Sequence, residues 1–152
     1  MANYDWIAEL LGLPNVQVTH YQMVGDYQLT LFVESDLAVA MCPTCHHLSQ
    51  AVHDTAEPQL LRDLPIWNRR CCLRYAPRRF ECATCGDTFV EPVAWREPGL
   101  AYTVRYEQHV YERARREPTQ RVAHDEHLTE DVVQGIFVRW GKKDSRNEAT
   151  PQ

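Results

Sequence analysis

Cys42-Pro43-Thr44-Cys45 and Cys82-Ala83-Thr84-Cys85 are two CxxC pairs separated by 36 residues, and their reading decides the fold. A CxxC turn places two thiolates on one ion, and two such turns complete a tetrahedral site of four sulfurs. A closed four-sulfur shell leaves no open coordination position, so it points to one structural Zn2+ held by Cys42, Cys45, Cys82 and Cys85. Gly86 follows the second pair and supplies a permissive backbone there. His46 and His47 follow the first pair and are alternative ligands, although four sulfurs already make a full set. Cys71 and Cys72 are adjacent, so on a strand they point to opposite faces and make poor co-ligands; one buried and one exposed thiol is expected.

Composition limits the rest. A chain of 152 residues holds one ordinary domain or two small ones. The first eleven residues contain Asp5 and Glu9 and no basic residue, unlike a secretory signal. No apolar run approaches the ~18 residues of a membrane span. A soluble, cytoplasmic protein is expected, and in that setting CxxC pairs bind metal more often than they form disulfides. The net charge of −5 conceals an asymmetry. Residues 1–41 carry five acidic side chains and no Lys or Arg, whereas residues 96–146 carry ten basic and nine acidic ones. Phosphate contact is therefore expected from the later part of the chain.

Periodicity gives an α+β fold: a β-rich, four-cysteine zinc-ribbon module followed by a three-helix helix-turn-helix domain. A short helix from Asn3, its cap, to Leu11 precedes strands at Val16–Met23 and Tyr27–Glu34, joined around Gly25-Asp26. Leu37–Met41 reads as a short strand into the first CxxC pair. Strands are expected at 50–55 and 59–62, a turn at Asp63–Trp67, and one long strand at Arg69–Phe80. Arg69, Arg70, Arg74, Arg78 and Arg79 then form a basic ribbon suited to phosphate, or a solvated face paired with Glu57, Asp63 or Glu81. The prolines and glycine around Glu91–Gly99 mark a linker. Helices are expected at Tyr102–Arg116, at Thr119–Asp125, and from the cap Thr129 to Trp140, with Gly141 as the stop. The implied domains are an acidic helix-plus-hairpin cap (1–41), the zinc module (42–95), the helix-turn-helix (96–141) and a polar, disordered tail (142–152).

In a helix-turn-helix the second helix of the pair enters the major groove. Thr129 and Gln134 then face bases, Gln134 suiting adenine, while Arg139, Lys142 and Lys143 serve the backbone, and Arg121 is a further candidate for DNA contact. Glu130 and Asp131 suit a helix N-terminus but repel phosphate. A three-helix bundle that packs on the zinc module or on another protein is the structural alternative. His109, His124 and His127 have no nucleophile at matching spacing, and no enzyme active site is legible.

The order of these parts resembles the N-terminal region of ISL3-family insertion-sequence transposases. The resemblance spans about residues 40–141 and rests on Cys42–Cys45, Leu61-Arg62-Asp63-Leu64-Pro65, Arg78-Arg79-Phe80-Glu81-Cys82 and the stretch Arg121–Trp140. It implies the same four cysteine ligands, a third helix that reads transposon ends in double-stranded DNA, and in the family a DDE catalytic domain further on. No acidic triad for two-metal chemistry can be assembled in these 152 residues, so no transposase activity is expected of them. A truncated transposase, a regulator or a subunit of a larger nucleoprotein complex follows. The competing readings are a protein–protein adaptor with an acidic N-terminal docking surface, and a rubredoxin-like iron site.

Overall fold

The structure, a computed structural model, describes residues 4–149. The expected cap Asn3 lies outside the described residues. The chain divides into two compact units, the first ending at Thr103 and the second beginning at Val104.

In the first unit, helix α1 (Asp5–Leu11) ends where Gly12 takes a left-handed conformation (φ 68°) and its N–H bonds Ala8 O at 3.0 Å. Strands β1 (Val16–Val24) and β2 (Gln28–Ser35) form the expected hairpin. The chain then runs through β3 (Ala40–Met41), β4 (Leu48–Ser49), β5 (Ala51–Thr55), β6 (Gln59–Ile66), β7 (Arg69–Tyr75), β8 (Arg78–Glu81) and β9 (Thr88–Val90). One four-stranded sheet has the order β1-β2-β7-β6, with β2 and β7 parallel and the other pairs antiparallel. A two-stranded sheet, β3-β4, and a three-stranded sheet, β5-β8-β9, make up the ribbon.

This order corrects the expected boundary at residue 41. The 36-residue spacer between the CxxC pairs contains the β6–β7 hairpin, which joins the N-terminal hairpin in one sheet. Leu61, Cys71, Leu73 and Tyr75 share a core with Ile7, Leu11, Val16, Val18, Leu31 and Val33. The N-terminal piece is half of a sheet that the inserted hairpin completes.

Three further expectations change. The single strand at 69–80 is two strands in different sheets, because Ala76-Pro77 interrupts it and Pro77 has no N–H for a ladder. The turn at Asp63–Trp67 is instead the end of β6. Its register shifts between Asp63 and Ile66, and Pro65 is tolerated there because β6 is at the sheet edge. Cys71 and Cys72 are both buried, since β7 is an interior strand of its sheet, and burial pushes the Cys72 thiol pKa up.

Nor is the segment after β9 a loose linker. Trp95 packs edge-on against Tyr75 at 4.9 Å, and the Arg96 guanidinium lies over the same ring. Arg62 N–H bonds Ala101 O and Thr103 N–H bonds Arg62 O, both at 2.9 Å. The Thr103 hydroxyl donates to buried Asp63 at 2.7 Å. These bonds strap residues 95–103 along β6.

The second unit contains α2 (Val104–Ala114), α3 (Thr119–Glu126) and α4 (Glu130–Ala149). Tyr106, Val110, Val122, Ala123, Val133 and Ile136 are its buried interior. Between α3 and α4, His127 takes the left-handed conformation (φ 54°) in a turn that has no glycine, and Leu128 N–H bonds Ala123 O at 2.9 Å. Thr129 Oγ1 accepts the Val132 N–H at 3.2 Å, the capping bond expected of it. Gly141 does not end α4, and residues 142–149 are helical; only 150–152 of the expected tail lie outside the described residues. Tertiary contact explains the extension. Tyr111 Oη donates to Asp144 at 2.7 Å and stacks on Trp140, and Lys143 sits over Trp140 at 4.7 Å. These contacts offset the ~1 kcal/mol that an interior glycine costs a helix.

Candidate metal centre and charged surfaces

The two CxxC turns have the same backbone. Cys42 N–H bonds His47 O and His46 N–H bonds Cys42 O, each at 2.9 Å. Cys82 N–H bonds Asp87 O and Gly86 N–H bonds Cys82 O, each at 2.8 Å. His46 (φ 64°) thus occupies the left-handed position that Gly86 (φ 79°) occupies in the other turn. Its place in the site is a backbone one, which the position four residues after Cys42 signals by analogy with Gly86.

The four sulfurs lie within 4.8 Å of one another, with Cys42 Sγ 3.6 Å from Cys85 Sγ and Cys45 Sγ 3.4 Å from Cys82 Sγ. Tetrahedral zinc with Zn–S of ~2.3 Å sets its sulfurs ~3.8 Å apart, so the cage fits. Backbone donors favour the thiolate form. The N–H groups of Cys45 and Thr44 point at Cys42 Sγ and lower its pKa. Those of Cys85 and Thr84 do the same for Cys82, which falls to about 6. Cys85 receives the Asp87 N–H, but burial and the three neighbouring sulfurs outweigh it and push the thiol up to about 12. Four negative charges in one cage need a cation among them, and a single structural zinc supplies it.

The cage rests on a small core of Ala40, Phe80 and Phe89, with the two rings stacked at 6.0 Å. The Ser49 hydroxyl donates to Glu81 O and ties β4 to β8.

The ribbon is anchored to the large sheet by Glu91, whose signal in the sequence is only a carboxylate beside Pro92. Its Oε1 accepts from Tyr75 Oη at 2.7 Å and Arg78 N–H at 3.1 Å, and its Oε2 from Arg78 Nε and Nη2 at 3.2 and 3.0 Å. Arg78 also donates to Ser35 Oγ and Leu37 O. Burial pushes the Glu91 carboxyl up, but the Tyr75 and Arg78 bonds outweigh it and hold it below its usual value.

The structure disperses the expected basic ribbon. Arg78 is committed to Glu91 and Arg79 to Asp54, to which it donates two bonds. Arg74 is exposed, with its guanidinium over Phe32 at 5.3 Å, and Arg69 and Arg70 open β7 on the other sheet. In the second unit Arg121 is exposed and 3.8 Å from Glu117. Gln134 and Lys142 are exposed on α4, and Lys143 is half-buried. Arg139 is not a free backbone contact: it donates to buried Glu107 at 2.7 Å, and Trp140 Nε1 donates to the other oxygen of that carboxylate at 3.0 Å. Arg113, which no sequence motif singles out, is the hub of this unit and binds Glu117, Asp125 and Glu126.

No helix among the described residues is long and apolar enough to cross a membrane. Residues 38–85 match the family model described as the zinc-finger of transposase IS204/IS1001/IS1096/IS1165. A stretch of 67 residues, 44% of this chain, is 33% identical to the transposase for insertion sequence element IS1001 of Bordetella parapertussis and spans 16% of that protein's length. No solved structure matches the chain. Residues 38–85 are thus similar to the zinc-ribbon region of ISL3-family transposases.

Proposed function

We propose that this chain is a zinc-braced, cytoplasmic DNA-recognition protein of an insertion-sequence transposition system. The observation that carries the reading is the match of residues 38–85 to a transposase zinc finger, together with four thiols caged as zinc requires. The relative is a transposase by name, and ends of a mobile element are the corresponding target here.

The second unit supports it. A short helix, a three-residue turn and a longer capped helix, preceded by a further helix, is the order of a helix-turn-helix domain. In that reading α4 lies in the major groove, with Gln134 exposed on its N-terminal half for base contact and Lys142 further along for phosphate. Double-stranded DNA is then the first partner and a larger nucleoprotein assembly the second.

Selection from a random duplex library, with the full zinc-loaded chain at near-physiological salt, tests the proposal. An enriched motif is expected. Gln134→Ala should relax one base position by about 1–3 kcal/mol. Lys142→Ala and Arg121→Ala should weaken all sequences alike and make log affinity fall less steeply with log salt. Absence of any enriched motif refutes the proposal. A second reading, an adaptor that docks proteins, is favoured by the exposed apolar groove of the first unit.

A further inference from the structure

The four-stranded sheet is longer than the helix that covers it. Helix α1 has seven residues and spans ~10 Å at ~1.5 Å per residue. Strand β1 has nine residues and spans ~30 Å at ~3.3 Å per residue. Side chains alternate across a strand, so Leu29, Leu31 and Val33 share a face, and cross-strand pairing sets Tyr21 opposite Leu31 and Met23 opposite Leu29 on it. Towards Val33 that face is buried under Ile7 and Leu11. Towards Met23 its roof stops.

What remains is a groove of about 570 Å³, bounded by Trp6 and Leu10 on α1, Tyr21 and Met23 on β1, and Trp67 at the β6–β7 turn. Its walls are large apolar side chains in the open: Trp6 is 59% exposed, Leu10 69% and Trp67 80%. Trp67 also holds a left-handed backbone (φ 43°), a costly conformation for a bulky residue. Contiguous apolar surface of this kind marks an interaction site.

Charge identifies the occupant. Helix α1 also carries Asp5 and Glu9, both exposed and each one residue before a groove residue, Trp6 and Leu10, and residues 1–41 contain five acidic side chains and no Lys or Arg. Among the described residues Arg69 is the single charged residue in the lining. A nucleic acid strand would bring phosphates alongside the acidic side chains of α1. A helix in line with α1 would complete the missing roof.

We propose that the groove seats an amphipathic helix of a partner protein, with large apolar side chains at i, i+3 or i+4 and i+7 and Lys or Arg on its flank. The apolar stripe continues the roof that α1 begins, and the basic flank faces Asp5 and Glu9. This site is independent of the DNA reading and stands or falls apart from it.

The test is selection from a displayed peptide library on the full zinc-loaded chain, counting only sequences that bind the native protein and not the Leu10→Lys/Trp67→Ala variant. Both replaced side chains are mostly exposed, and unchanged zinc content and circular dichroism of the variant establish that it is folded. Helical, basic sequences with the stated apolar spacing are expected, and the variant should weaken a synthetic copy of one by about tenfold or more. Glu9→Lys should weaken the same peptide while leaving an uncharged analogue unaffected. The proposal is overturned if no variant-sensitive sequence emerges, or if those that emerge are acidic or extended. It is equally overturned if a single-stranded oligonucleotide displaces the peptide, or if sedimentation shows a dimer that this variant dissociates, which would make a second copy the occupant.

Discussion

Stripping the zinc with excess chelator should unfold the ribbon and leave the large sheet standing. The ribbon's own core among the described residues is Ala40, Cys42, Phe80, Cys82 and Phe89, and two of these are zinc ligands. Phe80 and Phe89 contribute about 2–3 kcal/mol each by burial. A structural zinc contributes roughly 10–16 kcal/mol in small zinc modules, so the metal dominates. At ~1.4 kcal/mol per decade, its removal takes away about seven decades or more of amide protection, which leaves the ribbon exchanging like an unfolded chain. The large sheet has a separate buried cluster that runs from Ile7 through Leu31 and Leu73 to Trp95 and includes no ligand cysteine. Hydrogen exchange read by mass spectrometry should therefore show residues 40–55 and 79–90 losing protection while 16–35 and 59–75 keep it. The peptide carrying Leu61 to Tyr75 decides the matter, because it lies between the two CxxC pairs in sequence but belongs to the other sheet. If it exchanges together with the ribbon, the inference from topology is refuted; if Phe80 and Phe89 stay protected, the zinc is not what holds the ribbon.

Two other perturbations probe the charged anchors. Glu91→Gln keeps the size of the side chain but leaves the Arg78 guanidinium without its buried carboxylate, and should cost about 2–3 kcal/mol by urea unfolding at pH 7. Because the folded Glu91 pKa lies below its ordinary value of 4.5, its stabilisation is present above that pH and is lost as pH falls through the folded value; the gap between native and variant midpoints should narrow below about pH 4.5 and stay constant from pH 6 to 8. Arg139→Ala removes the partner of buried Glu107 and should cost about 1.5–3 kcal/mol of second-unit stability, whereas Lys142→Ala should shift unfolding by no more than ~0.5 kcal/mol. An Arg139→Ala protein as stable as the native one would show that the Glu107 pair contributes nothing.

The zinc cage was legible because its information is local: a CxxC turn fixes two sulfurs through the backbone of a few consecutive residues, and Gly86 announces the turn that follows. Strand alternation in Leu29, Leu31 and Val33 was legible for the same reason. The parallel pairing of β2 with β7 was not, since it joins Leu31 to Leu73 across 42 positions and neither strand alone carries a register signal. Asp63, Glu91 and Glu107 carry no local sequence signal of burial. Each is buried because a distant partner satisfies it: Thr103, the Tyr75–Arg78 pair, and Arg139 with Trp140. The run of α4 past Gly141 has the same origin, for the residue that holds Asp144 is Tyr111 on another helix. The break at Ala76-Pro77 did have a signal, and the alternation of Arg and apolar residues on either side of it obscured the proline.

The same break governs where DNA contact is to be sought. Five arginines between positions 69 and 79 read as one ribbon, but a run in sequence becomes a surface only if its strands share a sheet. Pro77 divides them. Arg78 then neutralises a buried carboxylate and Arg79 an exposed one, which leaves the ribbon's strand β8 with no arginine outside an ion pair. A zinc module so balanced gains little from phosphate, whose attraction scales with unneutralised positive charge. Its four sulfurs make a closed shell, with no position left for a further ligand. The ribbon is thus better suited to bracing than to reading, and under the proposed DNA-recognition function the base and phosphate contacts fall to Gln134 and Lys142 on α4, where exposed side chains stand on a helix fixed by buried Glu107.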